Sequence, residues 1–261
     1  MTYHLLKLDT SGLAAVVGIN GAPLFIEPAG MALGGGTEIN AWLKPGGNVL
    51  SISLSATPIK RSILLPRPEP LPARVRAEVY TVLPGSQTNQ PDRMLATFER
   101  RAGDLSPLPL KRDIPFEVTA APPTHLWSDA APLSGLTTSD EQQLRAVVQQ
   151  LADAIGARDL NAISALLDYK TKDYARAGGH TAEAADGVVR QLYAGDMFSQ
   201  RPLTITSPPP QGLRFERVAG GQVVWLHHGL NAPALVVESP TVRFTLPLFA
   251  AKIAGHWLIV R

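Results

Sequence analysis

The sequence predicts a protein of two domains, an all-β sandwich followed by an α+β domain with helices on a curved antiparallel sheet. The length of 261 residues exceeds that of most single domains. Apolar residues recur with a period of two in the first half, as in half-buried strands, and with the helical period from residue 139. The 23 prolines and 22 glycines argue against a helical bundle. We therefore expect a first domain over 1–132, a linker over 133–138 and a second domain over 139–261.

Residues 38–55 give the strongest local prediction in the first domain. Lys44-Pro45-Gly46-Gly47 indicates a tight turn, because proline fixes a negative φ and glycine accepts a positive one. Alternating apolar residues and serines predict a strand with one buried face after this turn. Before the turn, apolar residues at helical spacing predict a short helical turn on the same core. The apolar residues in question are Ile39, Trp42, Leu43, Leu50, Ile52 and Leu54.

Other strands of the first domain are predicted from turn signals and alternation. Asn20-Gly21 favours a type I′ hairpin between the strands 13–19 and 22–26. The glycine-rich residues 28–36 lack the Gly-Lys-Ser/Thr of a phosphate loop, and we expect a flexible connection there. Half-exposed strands are expected over 74–83, 94–100 and 114–120. We interpret the basic pairs Arg100-Arg101 and Lys111-Arg112 as charges that protect strand edges.

The Asn-Gly hairpin followed by EINAWLKPGGNVLSISL resembles the jelly-roll, galactose-binding-like accessory domains of glycosidases. The resemblance covers roughly residues 10–130 and implies a jelly-roll-like sandwich. In those enzymes the paired catalytic carboxylates lie in a separate barrel, for which this chain has no room. The resemblance therefore implies architecture, and it leaves carbohydrate binding through the first domain as one alternative function.

The second domain is predicted to begin with three helices. We expect a capping box of Ser139 and Gln142 at the start of the first helix and Gly156 as its C-terminal cap. Asp159 is predicted to cap the second helix and Thr181 the third. Amphipathic spacing supports all three. The apolar positions expected to face the core are Leu144, Val147, Val148, Leu151, Ile155, Ile163, Leu166, Leu167, Val188, Val189, Leu192 and Tyr193.

Strands are predicted after the helices, over 203–206, 213–217, 222–228, 234–238, 243–251 and 256–260. The order of elements, the Ala157-Arg158-Asp159-Leu160 entry to the second helix and the ending FAAKIAGHWLIVR resemble the NTF2-like (SnoaL/cystatin-like) superfamily. That resemblance implies an α+β cone with an internal pocket, and a homodimer paired through its sheets. The family includes isomerases, dehydratases, transport adaptors and toxin-immunity modules, so the fold does not determine the function.

Six residues are candidates for lining such a pocket. Tyr169, Asp173 and Tyr174 lie between the second and third helices; the alternative is a loop with solvated Lys170 and Lys172. The other three candidates, Trp225, His227 and His228, lie on one predicted strand. The two histidines are neighbours on that strand and must point to opposite faces, so they cannot bind one metal together. Trp127, close to the linker, is a candidate for fastening the two domains together.

Composition and motifs exclude several classes of function. The chain has no cysteine, which excludes disulfides and Cys-ligated zinc, and 24 cations interleaved with 22 acids argue against nucleic-acid binding. No apolar run approaches a membrane span, and we expect a mature cytoplasmic protein. No catalytic, metal or cofactor motif is found, so we expect no cofactor and no metal site.

The sequence thus favours a non-catalytic binding protein that recognises a protein partner. An immunity-type protein or a secretion-system accessory is one specific version. The alternatives are a small-ligand binder or enzyme that uses the pocket of the second domain, and carbohydrate binding by the first.

Overall fold

The computed structural model describes residues 2–27, 32–56, 72–85, 90–104, 107–120, 122–229 and 232–261. Contacts divide the chain into two compact units, Met1–Pro122 and Pro123–Arg261. The described residues belong to a mixed α+β class, with four antiparallel sheets and with α-helices only in the second unit.

The first unit is built from two four-stranded antiparallel sheets with the strand orders β4-β1-β6-β7 and β3-β2-β5-β8. Each sheet buries one face, since apolar side chains alternate with polar ones along the strands. The strands are β1 (Tyr3–Ser11), β2 (Ala14–Ile19), β3 (Ala22–Glu27), β4 (Leu33–Glu38), β5 (Gly46–Ser55), β6 (Arg74–Val82), β7 (Arg93–Arg101) and β8 (Leu110–Val118).

The hairpin and the 44–47 turn are confirmed. Asn20 and Gly21 have φ values of 54° and 80°, and Gly46 has a φ of 80°. Asn48 lies buried behind the turn, where its side-chain oxygen accepts from the Lys44 N–H at 2.9 Å and its amide donates to the Lys44 carbonyl at 3.0 Å. Asn20 donates to the same Asn48 oxygen at 3.0 Å. Two amide side chains therefore satisfy the backbone that the turn leaves unpaired.

The alternation in β5 is confirmed, since Leu50, Ile52 and Leu54 are buried and the intervening serines are half-buried. The short helical turn is also present, as a 3-10 helix at Asn40–Trp42.

The glycine-rich prediction was wrong for its second part. Gly34, Gly35 and Gly36 lie within β4, which pairs with β1 along the edge of its sheet, so this part is a strand and not a flexible connection. Glycine weakens a strand but does not prevent one where a neighbouring strand supplies the hydrogen bonds. Residues 28–31 lie outside the described residues.

The α-helices of the second unit are α1 (Leu126–Asp129), α2 (Thr138–Ala157), α3 (Leu160–Leu166), α4 (Asp168–Gly178) and α5 (Ala182–Arg190), and a π-helix (Gln191–Met197) continues α5. Three of these correspond to predicted helices. The helix α4 was not predicted: the segment between the second and third predicted helices is itself helical. Its sequence lacks a broad apolar stripe, because its buried positions are small or polar side chains.

The helix ends confirm two predicted caps and correct two others. Asp159 accepts from the N–H groups of Asn161 and Ala162, and Thr181 accepts from that of Ala184. The capping box of α2 is formed by Thr137 and Asp140, two residues before the predicted pair. At the other end, Arg158 in the left-handed conformation, with a φ of 56°, caps the helix instead of Gly156.

The sheets of the second unit use the predicted strands with two changes. Ala232–Pro233 forms an additional two-residue strand. The strand expected over 243–251 is divided at Pro247, because proline cannot donate to a ladder. Its two parts lie in different sheets, with the orders β14-β13-β9 and β10-β11-β15-β16, and β12 pairs with β11. The strands are β9 (Thr204–Ile205), β10 (Arg214–Val218), β11 (Val223–Gly229), β12 (Ala232–Pro233), β13 (Leu235–Glu238), β14 (Arg243–Leu246), β15 (Leu248–Ile253) and β16 (His256–Ile259).

The residues predicted as a linker are bonded to the second unit. The Arg217 side chain donates to the carbonyls of Leu133 and Ser134, each at 2.7 Å, and the N–H of Leu133 donates to Gly221. The first compact unit ends at Pro122, whereas the expected first domain ends at residue 132.

None of the helices in the described ranges combines the length and the apolar character needed to cross a bilayer.

Candidate functional site

The six predicted pocket residues lie on two elements of the second unit. Tyr169, Asp173 and Tyr174 are on α4, whereas Trp225, His227 and His228 are on β11. The contacts of each group define what its side chains can do.

Asp173 is the most deeply buried of the six. Its carboxylate has no solvent exposure and accepts from Arg261 Nη2 at 2.8 Å, an ion pair in which the Arg261 side chain is also fully buried. The Thr124 hydroxyl and the His125 N–H complete its shell at 2.6 and 2.7 Å. A buried carboxylate with three donors is satisfied in place, so Asp173 holds α4 to the segment 124–125 and to Arg261.

Tyr169 and Tyr174 flank this ion pair. The Tyr169 hydroxyl donates to Asp129 at 2.9 Å, and burial together with this hydrogen bond raises the pKa of Tyr169. The Tyr174 ring is 38% exposed and lies 5.0 Å from the Arg261 guanidinium carbon. Both tyrosines therefore pack around charged groups at the surface of α4.

Lys170 is not the solvated residue that the loop alternative assumed. It is half-buried, with its ammonium 5.9 Å from the centre of the Tyr174 ring. Burial lowers the pKa of Lys170 to about 8, and the nearby charge of Arg261 adds to this effect. Lys172, by contrast, is half exposed and forms an ion pair with Asp168 at 2.8 Å.

The β11 group is divided between the two faces of the sheet, as the strand period requires. The His227 ring stacks on Trp225 with 3.9 Å between centroids, and both residues are buried. Burial lowers the pKa of His227, while the Glu216 carboxylate, 3.8 Å from Nε2, acts in the opposite direction. His227 is therefore a packed ring whose charged form is disfavoured by burial.

His228 and Trp127 have separate surroundings. His228 points to the opposite face from His227 and lies beside Gly212, where an added Cβ would stand 3.5 Å from its Nδ1. Trp127 is a half-buried residue of α1 in the second unit, and its carbonyl accepts from Gln222 at 3.0 Å. The proposed role of Trp127 between the domains stays a prediction.

A second buried carboxylate joins α2 to the sheet. Asp140 accepts from Lys252 Nζ at 2.8 Å and from the Trp257 indole at 3.0 Å, besides its bonds within the capping box. The hydrogen bond from Lys252 and those from Thr137 and Trp257 lower the pKa of Asp140. This network, like that of Asp173, is structural.

The helix α5 and the π-helix that continues it carry a different kind of candidate surface. We define the α5 face as Ala184, Gly187 and Val188 of α5 with Leu192 of the π-helix, four exposed residues at i, i+3, i+4 and i+8. Val188 is 70% exposed and Leu192 is 41% exposed. The inward side of the same helix is supplied by Val189 and Tyr193, which pack on the core. The prediction that Val188 and Leu192 also face the core was wrong.

Acidic groups border the α5 face. Asp186 is paired with Arg190 at 2.7 Å, whereas Glu183 and Asp196 are exposed and make no ion pair with any described residue. The face itself has no ionisable group. Gln191, exposed at i+7, lies among the same positions, so the arrangement is a mainly apolar strip with an acidic border.

Sequence reasoning missed Arg261 and the outward direction of Val188 and Leu192. The partner of Asp173 lies 88 positions away in sequence, which no local pattern reveals. Val188 and Leu192 point outward because only one side of α5 packs on the core, although apolar residues occur on both sides. The described residues contain no cluster of three or more histidines or carboxylates able to hold a metal ion.

Comparisons of the chain with protein-family models, with curated protein sequences and with solved structures give no match in any of the three cases.

Proposed function

We propose that the chain is a binding protein that recognises a protein partner through the α5 face. The observation that carries this proposal is the exposure of Val188 and Leu192, at 70% and 41%, on successive turns of one helix. Apolar side chains aligned on an exposed helix are typical of surfaces that become buried on association. Burial of a Val or Leu side chain contributes about 1.5–3 kcal/mol, which α5 does not gain in the free chain.

Small residues favour a close approach by the partner. A Cβ added at Gly187 would meet no atom within 4 Å, so the space outside Gly187 is open. Gly187 and Ala184 let a second backbone approach the helix closely, and Val188 and Leu192 then fill the partner's surface. We therefore infer a partner that presents an apolar helix or ridge.

Charge adds a second feature to the expected partner. Glu183 and Asp196 border the α5 face without cationic partners among the described residues. A partner with lysines or arginines on both sides of its apolar ridge would match this border. Such charge complementarity raises the association rate and disfavours acidic competitors. An immunity-type or secretion-system accessory role is the specific version of this function that we retain.

The proposed architecture agrees with a recognition role. We infer that the first unit is a jelly-roll-like sandwich, an inference supported by its two four-stranded antiparallel sheets and the Asn20-Gly21 hairpin. For the second unit we infer an NTF2-like cone, supported by helices followed by antiparallel strands. Both folds serve as binding modules as well as enzymes.

Site-specific photo-crosslinking tests the proposal. A photoreactive amino acid is placed at Val188 and, as a matched control, at Gln150, an exposed residue of α2 in the same unit. In native cells the 188 probe should yield one main crosslinked protein that the 150 probe does not. That protein, once purified, should bind the wild-type chain and should bind the Leu192→Glu variant at least about tenfold more weakly.

Two results would count against this function. Equal crosslinking from positions 188 and 150, or unchanged binding by Leu192→Glu, would show that the α5 face is not the docking surface. A crosslink from 188 only to a second copy of this chain would replace the protein partner with a homodimer. The dimer through the sheet of the second unit, expected from the sequence, would instead form without any contact at position 188.

A further inference from the structure

We propose that a charged cavity in the first unit binds a small anion, either a phosphate ester or a dicarboxylate. The cavity has a volume of about 490 Å³ and lies where β1, β6 and β7 end or begin. We call it the arginine cavity; its charged lining consists of Arg74, Arg76, Arg100, Arg101, Asp9 and Glu99. This proposal is independent of the α5 face, which belongs to the second unit.

The strand register brings the arginines together. In the antiparallel pairing of β6 with β7, Arg74 lies directly opposite Arg101, and Val75 lies opposite Arg100. Like charges directly opposite each other on neighbouring strands destabilise a sheet. Asp9 and Glu99 offset part of this repulsion, and an anion that lies between the two guanidinium groups offsets more of it. Local conflict of this kind is expected at functional sites.

The charges inside the cavity do not cancel. Arg74 pairs with Asp9 and Arg101 with Glu99, each at 3.2 Å. Arg76 pairs with Glu78, which is not part of the lining, at 2.5 Å. With Glu78 counted, four arginines face three acids, an excess of one positive charge. A small anion therefore matches this site.

Arg100 is the arginine available to a ligand. Among the described residues it has no carboxylate partner: it donates to the carbonyl of Glu99 at 2.8 Å and lies 5.2 Å from the centre of the Phe98 ring. These contacts leave part of its donor fork unused. Guanidinium forks match the paired oxygens of carboxylate and phosphate groups, so Arg100 is suited to direct contact with the anion.

The rim of the cavity is fixed before a ligand binds. The Ser11 hydroxyl donates to the Pro72 carbonyl at 2.7 Å, and the Thr10 hydroxyl donates to the Arg74 carbonyl at 3.2 Å. Thr10 and Ser11 are both buried. They hold the start of β6 against the end of β1, which lowers the entropy lost when a ligand orders the site. A volume of about 490 Å³ is in the range of small-molecule sites.

Edge protection does not account for this cluster. Charged residues often guard the exposed edge of a sheet, and β7 is an edge strand in the order β4-β1-β6-β7. Arg74 and Arg76, however, belong to β6, which has a paired strand on both sides. Half of the arginines in the cavity therefore guard no edge.

Calorimetric titration of the full chain with inorganic phosphate and, separately, with malonate tests the proposal, at an ionic strength of about 20 mM so that screening is weak. The matched control is Arg112→Gln, because Arg112 makes the same local contact as Arg100, to the carbonyl of the preceding residue at 3.0 Å, but lies on β8. We expect at least one of the two anions to bind, and Arg100→Gln to raise its Kd about tenfold. Arg112→Gln should leave the Kd unchanged.

The two titrations separate the sources of the ligand. Tighter binding of phosphate assigns the cavity to phosphate esters, and tighter binding of malonate assigns it to dicarboxylates. Failure of both anions to bind, or equal weakening by Arg100→Gln and Arg112→Gln, would overturn the proposal. Thermal melting of each variant without ligand checks folding, because Arg100→Gln also removes a contact with the buried Phe98 ring.

Discussion

The helices α4 and α5 follow each other in the chain and depart from the usual burial pattern in opposite ways: α4 buries a charged residue, and α5 exposes an apolar one. In α4 a charged residue, Asp173, is fully buried, while the Tyr174 ring is partly exposed. In α5 no residue is fully buried, and Val188 is 70% exposed. The comparison shows that a contact partner, and not side-chain polarity, decides burial: Asp173 has Arg261, whereas no described residue covers most of Val188.

The same comparison separates structural from functional candidates. The polar residues that the sequence suggested as pocket lining on α4 are engaged in holding the helix in place. Val188 and Leu192, which the sequence placed in the core, are instead exposed on the α5 face. Polar residues on the inside and apolar residues on the outside are both departures from the usual pattern, but only the second leaves a surface for another molecule.

The largest expected effect is the loss of the buried charge on α4. Asp173→Asn removes the anionic partner of a fully buried arginine and should lower the free energy of unfolding by about 3–5 kcal/mol. The control on the same helix is Asp168→Asn, which breaks an exposed pair and should cost no more than about 1 kcal/mol. Urea unfolding measures both. Equal losses would contradict the structural role of Asp173.

Lys170 gives a pH-dependent test of burial on α4. Its folded pKa of about 8 lies below the usual value of 10.5, so the unfolded chain binds more protons between these values and stability rises with pH there. Below pH 8 the cost of the buried charge is fully present. Lys170→Met should therefore be more stable than the wild type at pH 7, by an amount that shrinks as the pH rises from 8 to 10.5.

The control for this prediction is Lys172→Met, whose side chain is half exposed and paired with Asp168. It should change stability by less than about 1 kcal/mol at pH 7. Denaturant unfolding at pH 7, 8, 9 and 10 provides the comparison. A Lys170→Met variant with no gain at pH 7 would show that the lysine is adequately solvated.

The next effect distinguishes the two sides of α5. Val189→Ser removes a residue that packs on the core and should cost about 1–2 kcal/mol. Val188→Ser makes the same change one position earlier and should alter stability by no more than about 0.5 kcal/mol. Valine and serine have similar helix propensities, so the difference reports packing. Equal losses at both positions would place Val188 in the core.

The smallest effect concerns the backbone of α5. Gly187→Ala adds a methyl group in open space within a helix and should raise the free energy of unfolding by about 0.5–1 kcal/mol. The same methyl group should hinder close approach of the partner, so this variant should be more stable and should bind less well. Thermal melting and a binding titration provide the two readings. If Gly187→Ala increased both the stability and the affinity for the partner, Gly187 would lie outside the docking surface.

Local pattern predicted much of the fold. The turn at 44–47, the alternation of Leu50, Ile52 and Leu54, and the caps at Asp159 and Thr181 depend on residues close in sequence. The helix α4 was missed because its buried side chains are small or polar and are stabilised by residues far away, chiefly Arg261. For α5 the spacing predicts a helix but does not say which apolar side meets the core.

The candidate sites were harder to predict for the same reason. The opposition of Arg74 and Arg101 depends on strand register, which pairs residues 27 positions apart. Each arginine was visible in the sequence, but the cavity was not. The pairing of Asp173 with Arg261 likewise joins the helical segment to the last residues given, across the entire sheet region of the second unit.

The most direct test of the central claim is the affinity for the partner, once it has been identified by crosslinking, of Val188→Ser relative to Val189→Ser. If the α5 face is the docking surface, Val188→Ser should raise the Kd about tenfold or more while its stability remains that of the wild type. Val189→Ser should lose stability and retain most of the affinity. Wild-type affinity in Val188→Ser would contradict the assignment of the α5 face as the recognition surface.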